Sequence, residues 1–390
     1  MRTDAIILGA GASGLLCALT AARRGFTCTI VDHSPVAGRK VRVAGGGKGN
    51  VTNLHMGQEW YVGKDVSFVQ KALRHCSPDW VLKLLQEFSI PWEERDYGQI
   101  FCTVPAARLV EALIARISQM GTSVLLRRNL HNVAWSDGLF RVQTSEELLE
   151  ATRLVIALGS PAWPASGSSD LGIRLARHFG HKVVPVHPVL VPLICPNSWP
   201  LQNLAGISLS AAVNIHERRF EYPLLFTHRG LSGPAILQAS CFWNHAEKLK
   251  IDFLPGMSAL ELMHMPNNGR LTVLNLFRKV LPSRLAERLV PSELASCKAA
   301  QLNKLARTRL AAAIHAHEVV PTRSEGMNRA EASSGGVETC DVNPRTMESK
   351  RCPGLYFTGE VLDITGLLGG YNLHWAWASG KTAGEAFRKN

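Results

Sequence analysis

The chain, 390 residues long, predicts an α/β fold: a parallel sheet flanked by helices, interrupted by an inserted β-rich and helical segment. Three observations predict it. Short apolar runs end in glycine turns, the first of which opens into a helix; proline-punctuated β patterning takes over near Pro185; and strand-and-glycine patterning returns near Gly335.

Ala5-Ile6-Ile7-Leu8 reads as a strand buried on both faces, and Gly9-Ala10-Gly11-Ala12-Ser13-Gly14 as the tight turn that opens a helix. In such a unit Gly9 makes the turn. Gly11 lets backbone amides reach a pyrophosphate with no Cβ in the way, and Gly14 lets the helix lie close on the sheet. The positive helix end, with Ala12 and Ser13 at its start, then meets the diphosphate. A second strand, Cys28–Val31, is closed by Asp32 at the distance where a carboxylate accepts hydrogen bonds from a ribose. Strand, glycines, helix, strand and acid together spell a Rossmann-like dinucleotide-binding unit.

A second glycine-rich segment follows, Gly38-Arg39-Lys40 and then Gly45-Gly46-Gly47-Lys48-Gly49-Asn50-Val51-Thr52-Asn53. It is no Walker A loop, because glycine follows Lys48 where a Mg²⁺-binding Ser or Thr is required. Trp80–Phe88 and Ala106–Met120 carry helical periodicity, with Gln99-Ile100-Phe101-Cys102 between them, outside the regular elements. Ser123–Leu126 reads as a third strand. Leu154–Gly159 is a further buried strand ending in glycine, as expected of a sheet whose carboxyl edge faces a ligand.

The expected domains are 1–188 with 335–390, a discontinuous nucleotide-binding domain; 189–257 with 317–334, a β-barrel-like insertion; and 258–316, a helical subdomain. Within the insertion, Phe226-Thr227-His228-Arg229-Gly230-Leu231-Ser232-Gly233 is a polar, glycine-bracketed loop that fits either a phosphate or substrate contact or a domain hinge. The C-terminal return separates FAD from NAD as the resident cofactor. FAD proteins of the two-dinucleotide-binding-fold type need a strand ending in Gly-Asp or Gly-Glu that reaches the cofactor chain, then a helix aimed at the flavin C2 carbonyl. Gly359-Glu360 and Gly369-Gly370-Tyr371-Asn372, leading into a last helix Leu373–Arg388, have that form. A helix N-terminus there stabilises the negative charge of a reduced flavin. Leu130 completes the expected cofactor contacts.

The balance of 43 Lys and Arg against 31 Asp and Glu gives a net charge of +12, which raises encounter rates with polyanions. The excess is denser over Arg270–Arg329, with eleven basic and four acidic residues. Arg278, Lys279, Arg284, Arg288, Lys298, Lys304, Arg307 and Arg309 there fit either a solvated helical face or a nucleic-acid footprint. Nine cysteines with no C-x-x-C pair argue for reduced thiols and against a zinc site. No signal peptide fits the N-terminus, and no stretch approaches the ~18 uninterrupted apolar residues of a membrane helix. A cytosolic protein is expected.

The runs GRKVRVAGGGKGNVTN, LLFTHRGLSGPAILQAS and NPRTMESKRCPGLYFTGEVLDITGLLGGYNLHWAWASG resemble those of the BaiN/RdsA (YhiN-like) FAD-dependent oxidoreductases, and the similarity extends from Ala5 to Gly384. The resemblance implies FAD in a Rossmann-like domain, with an inserted β-barrel and a helical domain. It also implies one of three activities: reduction of a uridine in 23S ribosomal RNA to dihydrouridine with NADH as donor, reduction of steroid-like bile-acid intermediates, or oxidation of aminoacetone. Two departures stand out. The family usually has Gly-Arg-Cys-Asn where this chain has Gly47-Lys48-Gly49-Asn50, and Thr-x-Gly-Gly-Val where it has Ser333-Ser334-Gly335-Gly336-Val337. Neither removes a glycine of the nucleotide site, but a role of the Arg-Cys pair does not carry over.

Saturating a uracil needs hydride delivery to C6 and a proton to C5, hence a general acid near the substrate. Cys102, Tyr371 and His374 are the candidates. Each has a plainer reading: an inert buried thiol, a ring stacked on the flavin, and a satisfied helix residue. The leading expectation is an NADH-recharged FAD enzyme acting on ribosomal RNA. The alternatives are a flavin oxidase or reductase of a small metabolite, and a ribosome-assembly factor that keeps FAD as a structural element.

Overall fold

Five short strands build the core sheet, in the order Leu355–Phe357, Arg153–Ile156, Ala5–Leu8, Cys28–Val31 and Ser123–Leu125, every neighbouring pair parallel. The first four are buried at every residue, as a parallel sheet covered on both faces requires. The computed structural model describes residues 1–265 and 268–389, and the chain divides into two units, Met1–His187 with Ala332–Asn390 and Pro188–Glu331.

The crossover from the first strand to the second is the helix Ala12–Arg23, with nine residues buried. Against it lies the C-terminal helix Tyr371–Ala386, whose Gly380 and Gly384 make the close approach possible. A Cβ at Gly380 would stand 2.2 Å from the Ser13 carbonyl oxygen, and one at Gly384 2.5 Å from that of Cys17. These two glycines, four apart and so on one face, let the helices meet at backbone distance.

Besides two-stranded pairings, the first unit carries two three-stranded antiparallel sheets next to this core. Leu130–Ser136, Leu139–Thr144 and Leu148–Ala151 form one of them, joined by tight turns. Asn50–Asn53, Gln99–Cys102 and Trp92–Arg95 form the other. The second corrects the sequence expectation for Gln99-Ile100-Phe101-Cys102, which is a central strand and no irregular segment. The turn before it, Tyr97 at φ 62° and Gly98 at φ 71°, hides the strand from a periodicity reading.

The second unit carries a seven-stranded antiparallel sheet, ordered His317–Val319, Leu249–Asp252, Ser208–Ile215, Arg218–Phe226, Gly230–Ser232, Leu193–Ile194 and Arg323–Ser324. Short helices follow from Ala259 to His315. Among the described residues, no helix is long and apolar enough to cross a membrane. The nine cysteines are all free.

Candidate functional site

The carboxyl ends of the parallel strands gather the glycine turns at one edge, where ligands bind in open α/β sheets. The three glycines of the first turn meet different surroundings. A Cβ at Gly9 would stand 2.3 Å from the Ala157 carbonyl oxygen and one at Gly14 2.0 Å from that of Gly9, so both positions admit only hydrogen. At Gly11 a Cβ would meet nothing within 4 Å. Gly11 thus opens onto space while its neighbours hold the strand and helix together.

Gly11 is the N-cap of the Ala12–Arg23 helix, and no side chain caps that helix or carries a negative charge in its first turn. The amides around Ala12 and Ser13 therefore keep their donors for an external acceptor, with the helix dipole behind them. The same holds at the other end of the chain. Gly370, at φ 95°, starts the Tyr371–Ala386 helix, again without a side-chain cap or an acidic residue in the first turn. Its neighbour Gly369 is held by Asn53, whose Nδ2 donates to the Gly369 carbonyl at 2.9 Å. Asn372 braces the turn before them: its Oδ1 accepts from the Gly366 amide and its Nδ2 donates to the Gly366 carbonyl, both at 2.7 Å. Leu373, the next residue, is half-buried.

Asp32 locks the first turn. Its Oδ2 accepts from the Ala10 amide at 2.7 Å and its Oδ1 from the Ser34 amide at 2.8 Å, and the Gly38 amide donates to the Ala10 carbonyl at 2.8 Å. Leu130 is half-buried, just after the segment whose Arg127 and Arg128 amides bond the Ser34 and Asp32 carbonyls. Arg39 donates through Nη2 to the Ala165 carbonyl at 2.8 Å. Gly45, Gly46 and Gly47 all take left-handed backbone, and a Cβ at Gly46 would meet nothing within 4 Å.

Lys40, Glu360 and Ser160 form a polar cluster drawn from three separate segments. Lys40 Nζ lies 2.9 Å from Glu360 Oε2, and Ser160 Oγ donates to the same oxygen at 3.2 Å. Gly159 lies beneath this carboxylate, 3.9 Å from Oε2 for a Cβ built on it, and Gly359 turns at φ 72° against Ser13. Ser160 was not anticipated, although its place after a buried strand and Gly159 is a signal that could have found it. Ser379 was also missed; its Oγ accepts from the Gly359 amide at 2.9 Å.

The three proton-donor candidates are buried at 2% exposure or less. His374 Nε2 donates to the Cys76 carbonyl at 2.7 Å, so Nδ1 accepts from the Thr52 hydroxyl at 2.6 Å. This neutral tautomer is fully satisfied, and burial pushes the imidazole down to about 4. Burial pushes the Cys102 thiol up to about 11. The Tyr371 ring stacks on Trp60, centroids 5.1 Å apart and planes at 6°. Among the described residues, no cluster of three or more His, Cys, Asp or Glu could hold a metal ion.

The HI0933-like protein Rossmann domain matches residues 3–386. The chain is 35% identical to a ribosomal RNA dihydrouridine synthase of Escherichia coli, over 97% of this chain and 96% of that protein. A Haemophilus influenzae protein of the same name is also 35% identical, with the same coverage. A 3-dehydro-bile acid delta(4,6)-reductase of Clostridium scindens is 29% identical over 97% of this chain and 98% of its own. Two solved structures share the fold at 15% identity and 99% coverage of this chain. One is an E. coli quinol fumarate reductase FrdA variant, at TM-score 0.52 and 69% of its length. The other is a 3-ketosteroid-delta4-(5alpha)-dehydrogenase of Rhodococcus jostii, at TM-score 0.51 and 96% of its length. A glycine cradle at the sheet's carboxyl edge, closed by the C-terminal helix, and a match running from end to end place this chain in the HI0933-like Rossmann family.

Proposed function

We propose that this protein is an FAD-dependent reductase that converts a uridine of 23S ribosomal RNA to dihydrouridine in the cytosol, with NADH as the electron donor. The observation that carries the substrate is similarity along the full length, 35% over 97% of the chain, to two ribosomal RNA dihydrouridine synthases. The same chemistry on a small enone is the second reading, supported by the bile-acid reductase at 29%.

The residues fit FAD. Open space at Gly11, two uncapped helix starts and a carboxylate at the end of the second strand match a dinucleotide's phosphates and ribose. In this reading the amides from Gly11 to Ser13 hold the pyrophosphate, and Asp32, rigid through its two backbone bonds, turns its remaining lone pairs to the adenosine ribose. Glu360, oriented by Lys40 and Ser160, would hold the ribityl chain, and the Gly369-Gly370 helix start would stabilise negative charge on the reduced flavin. FAD held there, once reduced by NADH, would supply a hydride to an activated C=C bond, with the second hydrogen delivered as a proton from water on the substrate side. His374, Cys102 and Tyr371 fill packing positions in this reading, since none presents a solvent-facing proton.

Glu360→Ala is expected to weaken FAD by one or two charge-assisted hydrogen bonds of about 1.5–3 kcal/mol each, hence at least tenfold in Kd. Titration of apoprotein with FAD measures this, and unchanged affinity removes Glu360 from the cofactor. The function itself is tested by mass spectrometry of nucleosides from purified 23S ribosomal RNA. Dihydrouridine is expected to disappear in a deletion strain and to return when the wild-type gene is restored. Dihydrouridine unchanged on deletion overturns the RNA reading.

A further inference from the structure

The polar loop Thr227–Gly230 sits beside a group of arginines that the fold assembles within the second unit. Gly230 and Arg323 are both register partners of Ile194, on either side of its short strand. The Arg229 carbonyl accepts from the Cys195 amide and the Glu325 amide donates to the Pro192 carbonyl. These bonds place Arg229 and Glu325 next to the two strands that flank Leu193–Ile194, where their side chains meet, and Arg329 follows four residues after Glu325. Glu325 is the hub: its carboxylate, 11% exposed, lies 3.9 Å from Arg229 Nη1 and 3.5 Å from Arg329 Nε, while those side chains are 55% and 74% exposed.

One carboxylate cannot neutralise three guanidiniums. It pairs with two of them and leaves the three with an excess of two positive charges, facing water. Arginine in this state presents planar, bidentate donors that match phosphate oxygens. The Thr227 Oγ1 accepts from the Arg229 and Gly230 amides at 3.2 and 3.0 Å. It shapes the loop that carries Arg229.

The helical region, richer in charge by count, is partly committed to the fold. Arg278 pairs with Glu287 at 2.6 Å, Arg284 donates to the Asn203 carbonyl, and Arg307 donates to the Ala299 and Ala300 carbonyls. We propose that Arg229 and Arg329, paired with Glu325, together with the exposed Arg323 on the neighbouring strand, form a docking surface for the phosphodiester backbone of RNA. This rests on the ribosomal RNA reading above and adds to it where the RNA is gripped.

The test is binding of in-vitro-transcribed, unmodified 23S ribosomal RNA as a function of salt. Arg229→Ala with Arg329→Ala should lower affinity at least tenfold at moderate salt and flatten the log–log slope by about 1.4–1.8, the loss of two phosphate contacts at about 0.7–0.9 each. Arg229→Lys with Arg329→Lys keeps the charge and should retain most of the slope while losing affinity. A parallel variant, Lys279→Ala with Arg288→Ala, should change the slope by less. Circular dichroism and bound-flavin absorbance show that each variant is folded. A folded alanine pair with wild-type affinity and slope overturns the docking surface, and so does a larger effect from the Lys279 and Arg288 pair. The deletion-strain nucleoside measurement judges the RNA reading separately. If dihydrouridine is lost on deletion but the arginine pair binds normally, only the surface fails.

Discussion

Gly11→Leu is expected to give a folded, colourless protein. Gly11 has φ −81° and ψ −175°, an ordinary extended backbone that any residue adopts, and a Cβ there would meet nothing within 4 Å. The chain itself therefore raises no steric objection to a side chain. The objection comes from the ligand, because a leucine fills the space where the amides of the helix start would meet a pyrophosphate. Losing two amide-to-phosphate bonds at about 1.5–3 kcal/mol each predicts a loss of FAD affinity of at least about 100-fold. Gly14→Ala is the contrasting control. Its Cβ would lie 2.0 Å from the Gly9 carbonyl oxygen, so it attacks the fold rather than the site. Flavin absorbance after gel filtration, set beside far-ultraviolet circular dichroism, separates the two effects. A yellow Gly11→Leu protein with one FAD per chain places the pyrophosphate elsewhere.

The first βαβ unit was legible because its information is local. Ala5–Leu8 and Cys28–Val31 run as strands over the residues expected, and Gly14 packs on the Gly9 carbonyl five residues before it, although Gly9 itself also meets the distant Ala157. The strand and the helix start of the C-terminal return, Leu355–Phe357 and the turn at Gly370, were legible for the same reason. What was not legible depends on partners far along the chain. Glu360 meets Lys40 across 320 residues and Ser160 across 200, and neither spacing leaves a pattern in sequence. Gly380 and Gly384 look like poor helix formers until Ser13 and Cys17 are placed against them. Trp92–Arg95 is exposed along its whole length and offers no alternation, so the sheet that makes Cys102 a strand residue was hidden. Basic residues were counted alike in the sequence, whereas Glu287 and several backbone carbonyls distinguish the committed ones from those that face water.

Acid sensitivity traced to His374 is the second large expected effect. The ring has 0% exposure, both nitrogens are bonded, and burial lowers its pKa from 6.5 to about 4. In the unfolded chain the imidazole takes a proton near pH 6.5, whereas the folded protein resists until about pH 4. Between those values the unfolded state holds more protons, so stability rises with pH. The contribution is fully present above about pH 6.5 and is lost as pH falls toward 4, amounting to about 2–3 kcal/mol between pH 7.5 and 4.5. Urea unfolding across this range should show the decline. His181 and His317, also lowered by burial, add to it, while Asp363 and Glu331, raised by burial, oppose it. The comparison with His374→Leu isolates the one ring. That variant strands the Thr52 hydroxyl and the Cys76 carbonyl and starts less stable at pH 7.5, by about 1–3 kcal/mol for each buried group left unpaired. It should then lose less on acidification, so that the two curves converge toward pH 4.5. Parallel curves would mean that the His374 imidazole does not titrate between the folded and unfolded states, and the neutral bridge between Thr52 and Cys76 would be wrong.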